Sequence, residues 1–411
     1  MTETGRAPTE SGSDLAVRFG WVSLLQDLGS KMVVPVLTPF LVLRFGASAA
    51  VIGLIDGVAT VSASLTAPIA GRLGRNPVWW VRIGYSLSSI MKLALAAAWA
   101  WPAVLVMRIV DRVGKGIRDV PRDVLLAAGR ADHGRVFGIQ QAMDKTGGVL
   151  GPLVGLAVYR LSGESFDAVF AVAFVPCALS VVLLWNLPGR PGATPAGSTV
   201  TGDHQPVAAG SATAGRPGAE VTAAQRRALV AAGLHALGFV TPALLLLRAL
   251  DVDATVTELL LGYTLLRCIT AATSYPIGRL VDARSARSVA IGGMAVSAAA
   301  IAAAGLATAP AMIWVALAAA GLADAMTKAP IKAWLLALGP AESRGPVLGD
   351  RTAIAGVATL VGSIAVGVAW GTDGRLALGA AAVVALVGVG VALTVPPAAP
   401  SVDAVSGAHE P

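Results

Sequence analysis

Eight charged side chains fall within the sixteen residues Arg108 to Asp123 (RIVDRVGKGIRDVPRD), inside a stretch otherwise apolar enough to cross a bilayer. On a helix, Arg108, Asp111, Lys115, Arg118 and Arg122 recur every three or four residues and form one polar stripe. An ionised side chain at mid-bilayer depth costs about 2.5–3.5 kcal/mol on insertion scales, so such groups face a bundle interior or a water-filled cavity. The six lysines, Lys31, Lys92, Lys115, Lys145, Lys328 and Lys332, all lie in such stretches, while the loops carry their positive charge as arginine. Lysine is a compact point charge, suited to meeting a mobile ion or solute. The chemistry these residues suit is the passage of a charged solute or a proton.

Measured from Pro102 at 1.5 Å per residue, Arg108 lies about 9 Å deep, Asp111 about 14 Å and Arg122 about 30 Å. Arg118, Asp119, Arg122 and Asp123 therefore also fit a plain interfacial reading. Arg108, Asp111, Arg112 and Lys115 do not. Pro121 marks a kink or an end of this helix. Elsewhere, Asp27 and Lys31 lie in the first span, Asp56 in the second, Asp144 and Lys145 in the fifth, and Asp324, Lys328 and Lys332 in the tenth. The seventh offers His235, which titrates near neutrality when unperturbed. The first, fourth and tenth spans are thus expected to line a pathway, with Lys92 in the third an exception. Asp27, Lys31, Asp111, Arg112, Lys115, His235, Asp324 and Lys328 are its candidate wall.

Spans one, four and ten hold nine bases and five acids if Arg18 at the boundary is included. That surplus suits an anionic or zwitterionic solute held by charge-assisted hydrogen bonds. The competing reading is that bases and acids pair across helices and only shape the fold. A desolvated carboxyl holds its proton more tightly and a nearby cation loosens it, which is how an alternating site moves protons. Asp144 beside Lys145, with Arg108 nearby and Asp56 as a further carboxylate, is the preferred relay. Asp27 and Lys31, four apart, are the preferred solute-facing pair, with an intrahelical salt bridge as the alternative.

The elements that must position these groups follow from composition. The chain has 411 residues, 55% hydrophobic and 13% charged, against about 25% charged in a soluble domain; its mean hydropathy is +0.72. About twelve stretches reach the roughly 20 apolar residues a span needs. They fall in residues 17–187 and 227–396, two six-helix bundles separated by a Gly, Pro, Ala, Ser and Thr-rich linker at 188–226, a composition that stays flexible. Tails at 1–16 and 397–411 are expected to be disordered. This is the pattern of an all-α membrane protein of 12 transmembrane helices in two pseudo-symmetric halves. Arginines crowd the linker-side loops, including Arg72, Arg75, Arg130, Arg135, Arg226, Arg227 and Arg344, so both termini are expected in the cytoplasm. The first sixteen residues lack the apolar core of a cleavable leader. Cys177 and Cys268 suggest neither a disulfide scaffold nor a metal site, and the net charge of +7 lies in loops and spans instead of a nucleic-acid-binding arm.

The run Arg108 to Asp123 resembles a bacterial subgroup of the major facilitator superfamily with a DR-GKG-R-PRDAL stretch in its fourth helix. SLLQDLGSKMVVPVLTPFL (Ser23 to Leu41) and GLIDG (Gly53 to Gly57) resemble its first and second spans. GRVFGIQQAMDKTGGVLGPLVG (Gly134 to Gly155) and RGPVLGDRTAIAGVATLVGS (Arg344 to Ser363) resemble its fifth and eleventh. The resemblance covers nearly the whole chain. It implies that Arg108 serves proton coupling and that Gly147, Gly148, Gly151, Pro152 and Gly155 form the fifth-helix antiporter motif. Glycines at this spacing also serve plain close packing. GRLVDARSAR (Gly278 to Arg287) resembles the superfamily's loop motif, with Gly278, Asp282 and Arg287 as gating residues. Two departures stand out. The second-to-third loop, AGRLGRNP, is shorter than the family pattern and lacks its aspartate, and Lys31 replaces the subgroup's usual glutamate.

The resemblance implies a proton-coupled exporter of a small organic solute, acting as a monomer in the bacterial cytoplasmic membrane, with protons and the lipid bilayer as its other partners. Uptake by symport of an anionic or zwitterionic nutrient is the alternative. No cofactor or metal is expected. A polytopic membrane enzyme is disfavoured because GKG (Gly114 to Gly116) lacks the phosphate-loop pattern and no cluster has metal-ligand spacing.

Overall fold

The computed structural model describes residues 12–72, 77–127, 133–186 and 221–397. Most of the linker, most of both tails and residues 73–76 of the shortened loop lie outside the described residues. The helices are α1 (Gly12–Phe45), α2 (Ala49–Arg72), α3 (Pro77–Ala96), α4 (Trp101–Ala127), α5 (His133–Leu161), α6 (Phe166–Trp185), α7 (Ala223–Gly238), α8 (Pro242–Asp251), α9 (Val256–Ala283), α10 (Ala286–Leu306), α11 (Pro310–Ala337), α12 (Arg344–Ala369) and α13 (Gly374–Thr394). They make twelve spans, the seventh being α7 and α8 together.

That break was not expected from the sequence, and its cause is local. Pro242 has no N–H to give and pushes Thr241 into extended backbone, φ −67 and ψ 155. Helix starts follow capping chemistry. Thr222 and Gln225 form a reciprocal capping box, so α7 begins at Ala223, inside the expected linker. The Gln225 amide also donates to Leu335 O at 3.2 Å and to Ser343 Oγ at 3.0 Å, tying α7 to α11. Pro121 does not end α4, which continues to Ala127.

Packing reveals a twofold relation. Spans 1 and 5, 1 and 6, 2 and 4, 3 and 4, and 3 and 6 pair in the first half. Adding six to each gives spans 7 and 11, 7 and 12, 8 and 10, 9 and 10, and 9 and 12, all of which pair in the second. Across the halves, α2 packs on α12 (spans 2 and 11) and α5 on α9 (spans 5 and 8), which the same operation exchanges.

The apolar core divides unevenly along the bundle. At the end away from the linker, Met32, Val36 and Phe40 of α1 share one buried cluster with Leu244 to Leu247 of α8, Leu260 of α9 and Val366 of α12. Thr38 Oγ1 donates across this seal to Ala243 O at 3.4 Å. At the linker end the halves keep separate cores. Phe19, Val81, Tyr85 and Leu126 form one, and Leu229, Trp334, Val347 and Val395 form the other. The halves share a core at one end and keep separate cores at the other, where α2 and α12 still touch at Ser64 and Gly356.

Candidate functional site

The fourth-span stripe is dry along one part and wet along another. Gly84 and Gly114 bring α3 and α4 together, since a Cβ on Gly84 would lie 2.5 Å from Gly114 O. This close approach explains Lys92. Its Nζ reaches from α3 to Asp111 Oδ1 at 2.5 Å, and Ser88 Oγ donates to the same oxygen at 2.5 Å. Arg108 Nη1 and Arg112 Nε approach Asp111 Oδ2 at 3.4 and 3.5 Å. Lys92, Arg108 and Asp111 are buried. Asp111, expected on the pathway wall, is instead enclosed within the first half as the shared anion of three cations. Nearer the linker, Lys115 pairs with Asp119 at 3.1 Å and Arg122 with Asp123 at 3.1 Å, all partly exposed. Arg118 stacks over the Tyr85 ring at 4.2 Å.

Between the halves, Asp27 of α1, Gln141, Asp144 and Lys145 of α5, and Arg267 of α9 enclose a cavity of about 290 Å³. It adjoins a cavity of about 800 Å³ between α5 and α9 that also contains Gln141 and Lys145 and reaches Gly278 and Asp282 near the linker end. Asp27 and Lys31 make no ion pair among the described residues, so the alternative of an intrahelical salt bridge between them is not realised. Lys31 instead lies within electrostatic reach of Asp27, Arg267, Arg112 and Lys115. Asp27, Arg122 and Lys115 lie within electrostatic reach of Asp144. Arg112, Asp111 and Asp56 lie within reach of Arg108. Arg108 thus faces Asp56 and Asp111, while Asp144 belongs with Asp27.

The fifth-helix glycines divide by face. Cβ atoms on Gly147 and Gly151 would lie 2.5 and 2.6 Å from Leu24 O and Leu28 O, and one on Gly155 would lie 3.3 Å from Met32, so these three seat α5 against α1. Gly148 points elsewhere, with its Cβ position 3.0 Å from Arg267 Nη2. Pro152 lies inside α5, which runs unbroken to Leu161.

In the second half, Asp324 pairs with Lys328 at 2.7 Å, and the Lys328 side chain is 70% exposed. His235 is buried, its backbone against Gly388 of α13 and its ring 6.3 Å from that of Phe239. It does not line either cavity. Asp282 is exposed and unpaired among the described residues, while Arg287 Nη2 donates to Leu393 O at 2.9 Å at the end of α13.

Two arginines escaped the sequence reading. Arg267 is the only charged residue between Glu258 and Arg279, and that isolation at mid-span was the available signal. Arg248 also lies in the seventh span, where only His235 was expected. It is buried and structural, donating to Ala304 O at 3.3 Å and Ala307 O at 2.7 Å at the end of α10.

Twelve spans in two exchangeable halves, sharing a core at one end and holding a charged cavity between them, have the layout of a two-repeat membrane transporter. The chain belongs to the Major Facilitator Superfamily, whose family model matches residues 19–234; this is a family of transporters, not enzymes. It is 29% identical over 187 residues to an uncharacterised MFS-type transporter of Methanocaldococcus jannaschii, a match covering 44% of this chain and 46% of the relative. The chain therefore spans about half the length of that relative. Among solved structures, it resembles a bacterial homologue of the human lysosomal transporter Spinster in an inward-facing, unoccupied conformation. The TM-score is 0.70 at 17% identity, covering 94% of this chain and 97% of that one. It also resembles the nucleoside transporter NupG, with a TM-score of 0.73 at 13% identity, covering 93% and 99%.

Proposed function

We propose that this transporter exports a small organic solute in exchange for protons, by rocking of its two halves about the cavity. The observation that carries this reading is the placement of Asp27 and Asp144. Both are half-buried on the glycine-packed helices α1 and α5, both line the inter-half cavity, and neither joins an ion pair among the described residues. Asp144, a carboxyl at the seam between the halves, is the group that takes up and releases a proton as the seam closes and reopens, with Asp27 as its neighbouring carboxylate. Asp144 lies within electrostatic reach of Asp27, Arg122 and Lys115, so both an anion and cations act on it. The arginine bias of the linker-side loops supports a cytoplasmic opening in the bacterial inner membrane.

The test is flux in proteoliposomes under an imposed pH gradient. Asp144→Asn is expected to abolish gradient-driven flux while insertion and folding persist, and wild-type flux in this variant overturns the proton site. Solute movement with the proton gradient, instead of against it, replaces export with uptake by symport.

A further inference from the structure

We propose that Arg267 and Lys145, one from each half, hold the acidic group of an organic anion whose apolar body lies along the α5–α9 cleft. This deepens the transport reading and rests on it, but not on proton coupling. Arg267 is the one second-half residue on the smaller cavity's wall. Its Nε is buried without a hydrogen-bond partner, and it makes no ion pair among the described residues. Lys145 likewise has none; it lies within electrostatic reach of Arg267 and, with opposite effect, of Asp324, while Asp27 and Asp144 share the cavity wall. An incoming carboxylate relieves the repulsion between Lys145 and Arg267 and accepts charge-assisted hydrogen bonds from both, with the guanidinium fork giving it direction. Gly148 is the seat of this arrangement, because a side chain there would press on the tip of Arg267.

The adjoining larger cavity fixes the rest of the ligand. Val149 and Leu150 from α5, with Ala271 and Tyr275 from α9, give it a mainly apolar wall leading away from Lys145. The pair of cavities therefore fits an acid with a hydrocarbon portion better than a compact inorganic anion. Arg267 would close the two halves onto such a ligand because its partner cation rides on the other half.

The experiment is binding to the full chain in lipid nanodiscs, titrating octanoate, inorganic phosphate and octylammonium without a pH gradient. Octanoate should bind more tightly than either other probe. Arg267→Gln should weaken octanoate about tenfold to hundredfold, the range for loss of a hydrogen bond to a charged group. Gly148→Ala retains every charge and meets only the far end of a flexible side chain, so it should fold and weaken octanoate by a smaller factor. Unchanged octanoate affinity in both variants overturns the assignment, as does phosphate or octylammonium binding equal to octanoate. Octanoate binding that depends on Arg267, beside undiminished gradient-driven flux in Asp144→Asn, would keep the anion site and remove the proton site.

Discussion

Replacing Asp111 with asparagine should damage the fold more than any other single charge removal in the first half. The carboxylate is buried and neutralises Lys92 at 2.5 Å, Arg108 at 3.4 Å and Arg112 at 3.5 Å. Asparagine keeps the volume and removes the charge, leaving Lys92 buried without its anion and Arg108 with Asp56 alone. Breaking a buried pair by removing one partner costs about 3–5 kcal/mol. Lys92→Met removes the nearest cation but leaves Asp111 two arginines, so its cost should fall nearer about 1.5–3 kcal/mol, the range for one hydrogen bond to a charged group. The double variant should cost less than the sum, because the two residues share one interaction.

The assay is thermal unfolding of the purified protein, read by fluorescence-detected chromatography, with solute flux measured well below each midpoint. The expected order of midpoints is wild type, Lys92→Met, then Asp111→Asn, with solute affinity little changed in whatever fraction folds. If Asp111→Asn keeps the wild-type midpoint and loses solute affinity, the residue faces the translocation route and the enclosed-node argument is wrong.

Two further outcomes test the packing account. Gly147→Leu should force α1 and α5 apart, because even a Cβ there would lie 2.5 Å from Leu24 O; Gly138, with open space around its Cβ position, provides a control whose alanine variant should behave as wild type in the same melting assay. Arg248→Met removes the donors to Ala304 O and Ala307 O. It should lower stability by about 1–3 kcal/mol without changing the solute concentration giving half-maximal flux.

Apolar length marks eight of the spans, whereas α3, α4, α5 and α9 fall short of it and were legible only by reading their charges as part of a span. The site was legible only in part. Periodicity shows that Asp111 and Lys115 share a face of α4, but not that α3 covers one of them and water reaches the other. What decides this is the glycine contact of Gly84 with Gly114, a property of two helices that neither sequence displays alone. The same limit hid Lys92, whose partner lies nineteen positions away on a neighbouring helix. Arg267 was missed for a different reason. Weight fell on spans with several charges, whereas a single arginine in an apolar span is the more telling signal, because nothing on its own helix can pair with it. Arg248 differs on that count: Asp251 on its own helix pairs with it at 3.7 Å, and its guanidinium also donates to backbone carbonyls at the end of α10.

Rocking of two rigid halves changes distances between halves and preserves those within each. Lys92, Arg108, Asp111 and Arg112 all belong to the first half, so their network should persist through the cycle and keep α3 and α4 moving as one body. Lys145 and Arg267 are on opposite halves, and Asp27 and Asp144 face the space between them. In the proposed rocking cycle their surroundings change as the linker end closes, because the separate cores there would meet while the shared core at the other end parts. A charge inside one half holds the machine together; a charge facing the gap can respond to what enters it. By that criterion Arg267, absent from the sequence-based site, belongs to the moving part, and Asp111, the centre of the most conspicuous motif in the chain, belongs to the frame.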